Sequence, residues 1–171
     1  LFPLLEKALA GLPVAKPMRW ASNDFSFVRP VHWLVVMHGQ NVLKGSLFGL
    51  DAGNSTRGHR IHSPGPHEIS NAIDYEGVLK TAYVIADQKN RREIINQQAI
   101  DLGESTGGKA LIDKALLEEV TNLVEWPKSV VGGFDESFLE VPAEALIASM
   151  QDHQKFFPAV DIANECLMAR F

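Results

Sequence analysis

The chain has 171 residues, 46% hydrophobic and 22% charged, with a formal net charge of −5 and a single cysteine. That length is enough to bury a proper core in one large domain or two small ones. The acidic balance excludes a broad electrostatic grip on nucleic acid but leaves room for a local basic patch. Cys166 alone excludes an internal disulfide and fits a reducing compartment. No window reaches the about 18 apolar residues that a spanning helix needs, and no signal peptide is legible.

The chain opens on LFPLLEKALAGL, without an initiator Met and already inside a helical pattern, and it stops on the apolar ECLMARF. Both ends read as cuts in a longer protein. Residues 4–12 place Leu4, Leu5, Ala8, Leu9 and Leu12 on one helix face, with Gly11 near the stop. Pro13 and Pro17 then impose an extended connector. VHWLVVMHG at 31–39 predicts one buried strand, Gln40–Asn41 a turn, and VLKGSLFGL at 42–50 the returning arm of a hairpin. Turn chemistry at 51–56 leads to a short strand over Arg57–Ile61, ended by Ser63–Pro64–Gly65–Pro66.

The second half is more helical. Asp74 can cap a short helix with Val78, Leu79, Ala82 and Tyr83 inward, and a brief strand follows at 83–86. Asp87 can cap a helix over about 88–102, and 103–108 (GESTGG) reads as a mobile loop. Ile112, Leu116, Val120, Leu123 and Val124 recur at near-helical spacing over 112–125, with Pro127 as the stop. A strand near 129–131 and a helix from Pro142 to about His153 complete the series. Helix and strand signals alternate irregularly, without repeats or a long linker. The expected class is α+β, with a mixed or mainly antiparallel sheet and packed helices.

The densest chemistry lies in NSTRGHRIHSPG at 54–65, where Arg57, His59, Arg60 and His62 surround Gly58. Arginine offers a planar fork of donors that keeps its charge, which suits phosphate or carboxylate, and histidine titrates near neutrality. On a strand, 57 and 59 would face one side and 60 the other. Arg29, Lys89, Arg91 and Arg92 could extend the patch; the plain alternative for each is a surface ion pair of small energy.

Other chemistry is weaker. GESTGGK lacks phosphate-loop spacing, because Ala110 follows Lys109, and it follows a helix. His59, His62 and His67 would need Asp51 or Glu68 to complete a metal set, and flanking arginines repel a cation, so no metal is expected. Glu118, Glu119, Asp152 and His153 form no visible hydrolytic constellation, and no catalytic residue is assigned. Trp33 and Trp126 read as core, with Trp20 as the surface candidate.

Longer strings carry a resemblance: MRW at 18–20, FVRPVHWLV at 27–35, LFGLDAGNSTRGHRIHSPG at 47–65, VIAD at 84–87, LLEEVTNLVEWP at 116–127 and FLEVPAEALIASMQDHQKFFP at 138–158. In this order they are similar to the β subunit of the bacterial heterotetrameric glycyl-tRNA synthetase, as an N-proximal fragment. The resemblance implies a helix and connector at 1–17, a single α+β domain at 18–158 and the start of a following segment at 159–171. It also implies a fold similar to the editing-type module of the phenylalanyl-tRNA synthetase β chain. Glycine activation with ATP and magnesium would belong to the α subunit, so this fragment would hold no cofactor and would be a non-catalytic, cytoplasmic, membrane-free module. Its partners would be the α subunit, glycine tRNA and other parts of the β chain, with Arg57, His59, Arg60, Arg29, Lys89, Arg91 and Arg92 as candidate tRNA contacts. The alternatives are a purely structural interface module or an editing-type aminoacyl-tRNA hydrolase. Ala21 stands where the resemblance implies glycine, and His62 with the following Ser-Pro-Gly lies where the family varies.

Overall fold

The computed structural model describes residues 1–22, 24–163 and 166–171. Contacts divide the chain into two compact units, Leu1–Tyr83 and Val84–Phe171. This break coincides with neither expected boundary, at 17/18 or at 158/159; Asn164 and Glu165 of the expected final segment lie outside the described residues.

The first unit begins with α1 (Phe2–Ala10), where Pro3 occupies the first turn, in which a missing N–H leaves no helical bond unmade. The Phe2 ring lies over Gly45, where a Cβ would overlap it. Strands β1 (Met18–Arg19) and β2 (Ser26–Phe27) then pair antiparallel. Ala21 adopts φ 51, the left-handed region that favours glycine.

The VHWLVVMHG run does not form one buried strand. It yields β3 (Leu34–Val35) and β4 (Met37–His38), which change partners at Val36. The Val36 N–H donates to Gly53 O, while Val36 O accepts from the Leu43 N–H. So β3 pairs in parallel with β7 (Leu50–Gly53), and β4 pairs antiparallel with β5 (Asn41–Val42). Trp33 remains 43% exposed, contrary to the core reading.

Likewise VLKGSLFGL splits into β5 and β6 (Ser46–Leu47), and β6 makes its own hairpin with β7. Phe48 and Gly49 turn that hairpin with φ 54 and φ 73. Two positive φ values give the mirror turn that matches strand twist, although an aromatic residue resists that region. The Phe48 ring meets Trp20, Phe25 and Phe27 at 6.2, 6.4 and 5.0 Å. Trp20 therefore belongs to a packed cluster, which corrects its reading as a surface platform.

Strands β8 (Ser55–Arg57) and β9 (Pro66–Glu68) pair antiparallel from Ser55↔Glu68 to Arg57↔Pro66. Next to them the buried Ile69 exchanges backbone and side-chain bonds with Asn54. Asn71 caps a 3₁₀ turn at Ala72–Asp74, and α2 (Tyr75–Thr81) follows, with Leu79 and Ala82 buried. The strand expected at 83–86 does not form.

In the second unit Asp87 caps α3 (Gln88–Ser105), its Oδ1 accepting from the Asn90 N–H at 2.7 Å. The helix passes the expected stop at 102 because Gly103 serves packing. A Cβ there would overlap the backbone of Ala110 in β10 (Gly108–Ala110). The expected mobile loop is thus a helix end, a turn at Gly107 with φ 81 and a strand paired with β11 (Ala159–Asp161).

Asp113 caps α4 (Lys114–Leu123), which buries Leu116, Leu117 and Thr121. Residues 129–131 are not a strand, since the Ser129 N–H is taken by Gln98 Oε1 and Val130 is 78% exposed. The helix from Pro142 is α5 (Ala143–Ala148), widening to a π-type turn over Ser149–Gln154 that Lys155 ends at φ 60. The fold is α+β, with β3–β7 parallel and the other strand pairs antiparallel. Among the described residues no helix is long and apolar enough to cross a membrane.

Replacing Ala21 with glycine removes the steric conflict of a left-handed Cβ, which is worth about 1 kcal/mol. The expected result is a chemical-denaturation midpoint shifted upward for Ala21→Gly; a lower midpoint would contradict the left-handed turn.

Candidate nucleic-acid interface

The basic cluster is a turn, where the sequence predicted a strand. Strand β8 ends at Arg57, and Gly58 then passes so close to Ala82 that a Cβ would overlap that residue's side chain and carbonyl. The His59 N–H donates to Ala82 O at 2.8 Å, fixing the turn to the C-terminal end of α2. His59 O accepts from the Ser63 N–H at 3.0 Å and closes the turn. Inside it, His59 Nδ1 accepts from the backbone N–H groups of Ile61 and His62 at 3.2 and 3.1 Å. With Nδ1 occupied as an acceptor, the ring proton resides on Nε2. The face alternation expected on a strand stops at Arg57, so the turn sets the direction of Arg60.

The seven candidate residues fall into distinct groups. Arg57 and Arg60 are exposed, with no hydrogen-bond or ion-pair partner among the described residues, and the same holds for Arg29 and Lys89. His59 is half-buried and uses one ring nitrogen to hold the turn. Arg91 and Arg92 are engaged by the fold. Arg91 Nη1 donates to Ile85 O at 2.6 Å and Ala86 O at 2.9 Å, while its Nε donates to Thr121 O at 3.2 Å. It thereby ties α3 to the end of α4 and to the segment before α3. Arg92 pairs with Glu118 at 2.8 Å, and its buried Nε has no partner. Arg29, Arg57, His59 and Arg60 lie in the first unit; Lys89, Arg91 and Arg92 lie in the second.

Two aromatic groups join the turn. His59 and His62 stack at 4.4 Å, and His62 meets Tyr83 at 5.2 Å. Tyr83 was expected inward on a helix; it lies beyond the end of α2 at φ 59 and is 40% exposed. An aromatic residue directly after an apolar helix pattern was the sequence signal for it.

The other candidate groups are also placed. Glu118 is held by Arg92 and Gln88, and Glu119 by Lys155 at 3.0 Å. Asp152 and His153 are exposed in the π-type turn. Ser63 Oγ lies 3.1 Å from His67 Nε2, beside an open hollow lined by His67, Glu68, Asp74 and Val78. The second unit holds an apolar cavity of about 260 Å³ between Ile95, Ala99, Val120, Phe156 and Phe171. Among the described residues no group of three His, Cys, Asp or Glu side chains could hold a metal ion.

Loss of a charged donor that serves three carbonyls leaves them unsatisfied, at about 2–3 kcal/mol, whereas a half-exposed ion pair contributes about 0.5 kcal/mol. Arg91→Ala is therefore expected to lower the denaturation midpoint clearly and Arg92→Ala only slightly. Equal effects in urea titrations would contradict this division.

Comparison with known proteins adds a family. The model of the family described as "Glycyl-tRNA synthetase beta subunit" matches residues 1–171. A glycine–tRNA ligase beta subunit from Hahella chejuensis is 47% identical over 165 residues, covering 96% of this chain and 24% of the relative. The subunit of the same name from Marinobacter nauticus is 50% identical over 166 residues, covering 96% and 24%. That from Chromohalobacter salexigens is 48% identical over 158 residues, covering 92% and 23%. The chain thus spans about a quarter of the length of these curated relatives.

Proposed function

Because the chain belongs to the glycyl-tRNA synthetase β-subunit family, we propose that it is a non-catalytic module of a glycine–tRNA ligase that contacts glycine tRNA through the Arg57–Arg60 turn. One observation carries this reading: two exposed arginines, whose side chains have no partner among the described residues, stand at the start of and within a turn held in place by the end of α2. A fixed turn presents its guanidinium groups without the ordering cost of a mobile loop, and phosphate oxygens accept their forked donors. On a chain of net charge −5, such a patch gives local contact in place of general adhesion to nucleic acid.

In this reading the chain acts in the cytoplasm within a longer β subunit, assembled with an α subunit that uses ATP and magnesium to activate glycine. His59 contributes its Nε2–H as a further donor, and Arg29 and Lys89 are additional phosphate partners. Arg91 and Arg92 drop to a structural role, since Arg91 Nε and Nη1 and Arg92 Nη2 already donate within the second unit. A structural interface role for the turn is the alternative, and it places carboxylates of another subunit against Arg57 and Arg60.

The test is charge reversal of both arginines, Arg57→Glu with Arg60→Glu, in the full-length β subunit assembled with its α partner. Affinity for glycine tRNA is expected to fall at least about tenfold at physiological salt, with an unchanged melting temperature and a shallower salt dependence. Unchanged tRNA affinity, or subunit dissociation on reversal, would favour the interface alternative.

A further inference from the structure

The sequence predicts a strand near 129–131, and a ladder stops just beside that stretch. Gly133 and Arg170 pair antiparallel. Gly132 and Phe171 exchange both backbone bonds, the Gly132 N–H donating to Phe171 O at 2.9 Å and the Phe171 N–H to Gly132 O at 3.2 Å. On the other side of the bridge the Phe134 N–H donates to Ala169 O at 3.4 Å. This is the alternation of an antiparallel pair, with Gly132 and Phe171 directly opposed. Continued by the same rule, Val131 faces the first residue after Phe171, and Val130 faces the second.

The backbone there is already set for such a neighbour. Residues 127–132 run without a turn or bend, and in an extended chain successive N–H groups alternate between its two sides. The Ser129 N–H goes to Gln98 Oε1 of α3 at 2.8 Å, and the Gly132 N–H goes to Phe171. The Val130 N–H and carbonyl therefore lie on the Phe171 side, where they have no partner among the described residues. Val130 is 78% exposed and Val131 41%, and β-branched side chains suit a pleated surface. Both line the second unit's apolar cavity together with Phe156 and Phe171, whose rings stack at 4.3 Å. An open backbone edge beside exposed apolar side chains is a template for a further stretch of strand.

We propose that residues 129–131 are the docking strand for the segment that directly follows Phe171 in the full-length β subunit. The occupant is part of the same chain because the ladder reaches Phe171 in register, and because the chain spans about a quarter of the length of its curated relatives. The second residue of that segment exchanges N–H···O=C bonds with Val130. Its side chain falls on the Phe171 face, and so closes the cavity. Family membership is the only premise taken from above; tRNA and the arginine turn play no part.

The full-length β subunit, assembled with its α subunit, is tested in two ways. Hydrogen exchange read at single-amide resolution by mass spectrometry is expected to show the Val130 amide at least about hundredfold slower than in an unstructured peptide. The second arm combines Val131→Cys with a cysteine at the first residue after Phe171. An opposed pair that is not hydrogen-bonded holds its Cα atoms about 4.5 Å apart, within the span of a disulfide. Oxidised glutathione is expected to link that pair, as read by peptide mapping, and to leave Val131→Cys unlinked when the second cysteine stands at the fourth residue instead.

A Val130 amide that exchanges at the unstructured rate would overturn the proposal, whatever the variants do. A protected amide without the disulfide would overturn it too, because another segment or subunit would then cover the edge. Linkage to the fourth residue in preference to the first would overturn the register, and with it the closure of the cavity.

Discussion

The carbonyl of Ala82 organises the basic turn of the first unit. It terminates α2, accepts the His59 N–H at 2.8 Å, and lies so close to Gly58 that no side chain fits between them. The strand leaving Arg57 must therefore turn where it does. The other features follow: His59 O closes the turn onto Ser63, His59 Nδ1 gathers two further N–H groups, and the His62 ring lands between His59 and Tyr83. A side chain at position 58 would push α2 and the turn apart, and the arginines would lose their fixed setting.

Charge in this protein divides by whether the fold has already engaged it. Arg91 sits within reach of carbonyls from three residues, where a guanidinium fork satisfies groups that a helix end leaves open. Arg92, one residue on, turns to Glu118. Arg57 and Arg60 have no such partners among the described residues, so their donors remain available to a ligand. Residue type alone does not distinguish these cases. The distinction arises from what the neighbouring chain presents, and that is a property of tertiary structure.

Much of the helical framework was legible in the sequence because caps and apolar spacing are local signals. Asp87 caps the helix it was expected to cap, and Gly11 follows the end of the first helix, while Asp113 caps α4 at a position that the apolar spacing had put inside the helix. The strands were harder. Val36 changes hydrogen-bond partners in mid-run, Phe48 takes a positive φ inside an aromatic cluster, and Gly103 packs inside a helix where glycine usually ends one. Each of these is decided by residues distant in sequence. At the site, the residue identities of the basic cluster were legible, but its geometry was not. A histidine that accepts backbone N–H groups, and a tyrosine held beyond a helix end, leave no periodic trace. Ala21, where the resemblance implies glycine, takes a left-handed φ of 51, a conformation that glycine enters freely.

The central claim is that the arginines are set by a turn built around the His59 ring. Long-range ¹H–¹⁵N correlation of ¹⁵N-histidine-labelled protein, recorded on the neutral ring, reads the tautomer directly. A single His59 signal set with the proton on Nε2 and an unprotonated, acceptor-type Nδ1 is the expected result. A proton on Nδ1, or the averaged shifts of a freely exchanging ring, would mean that Nδ1 does not hold the Ile61 and His62 amides and that the turn is not preorganised.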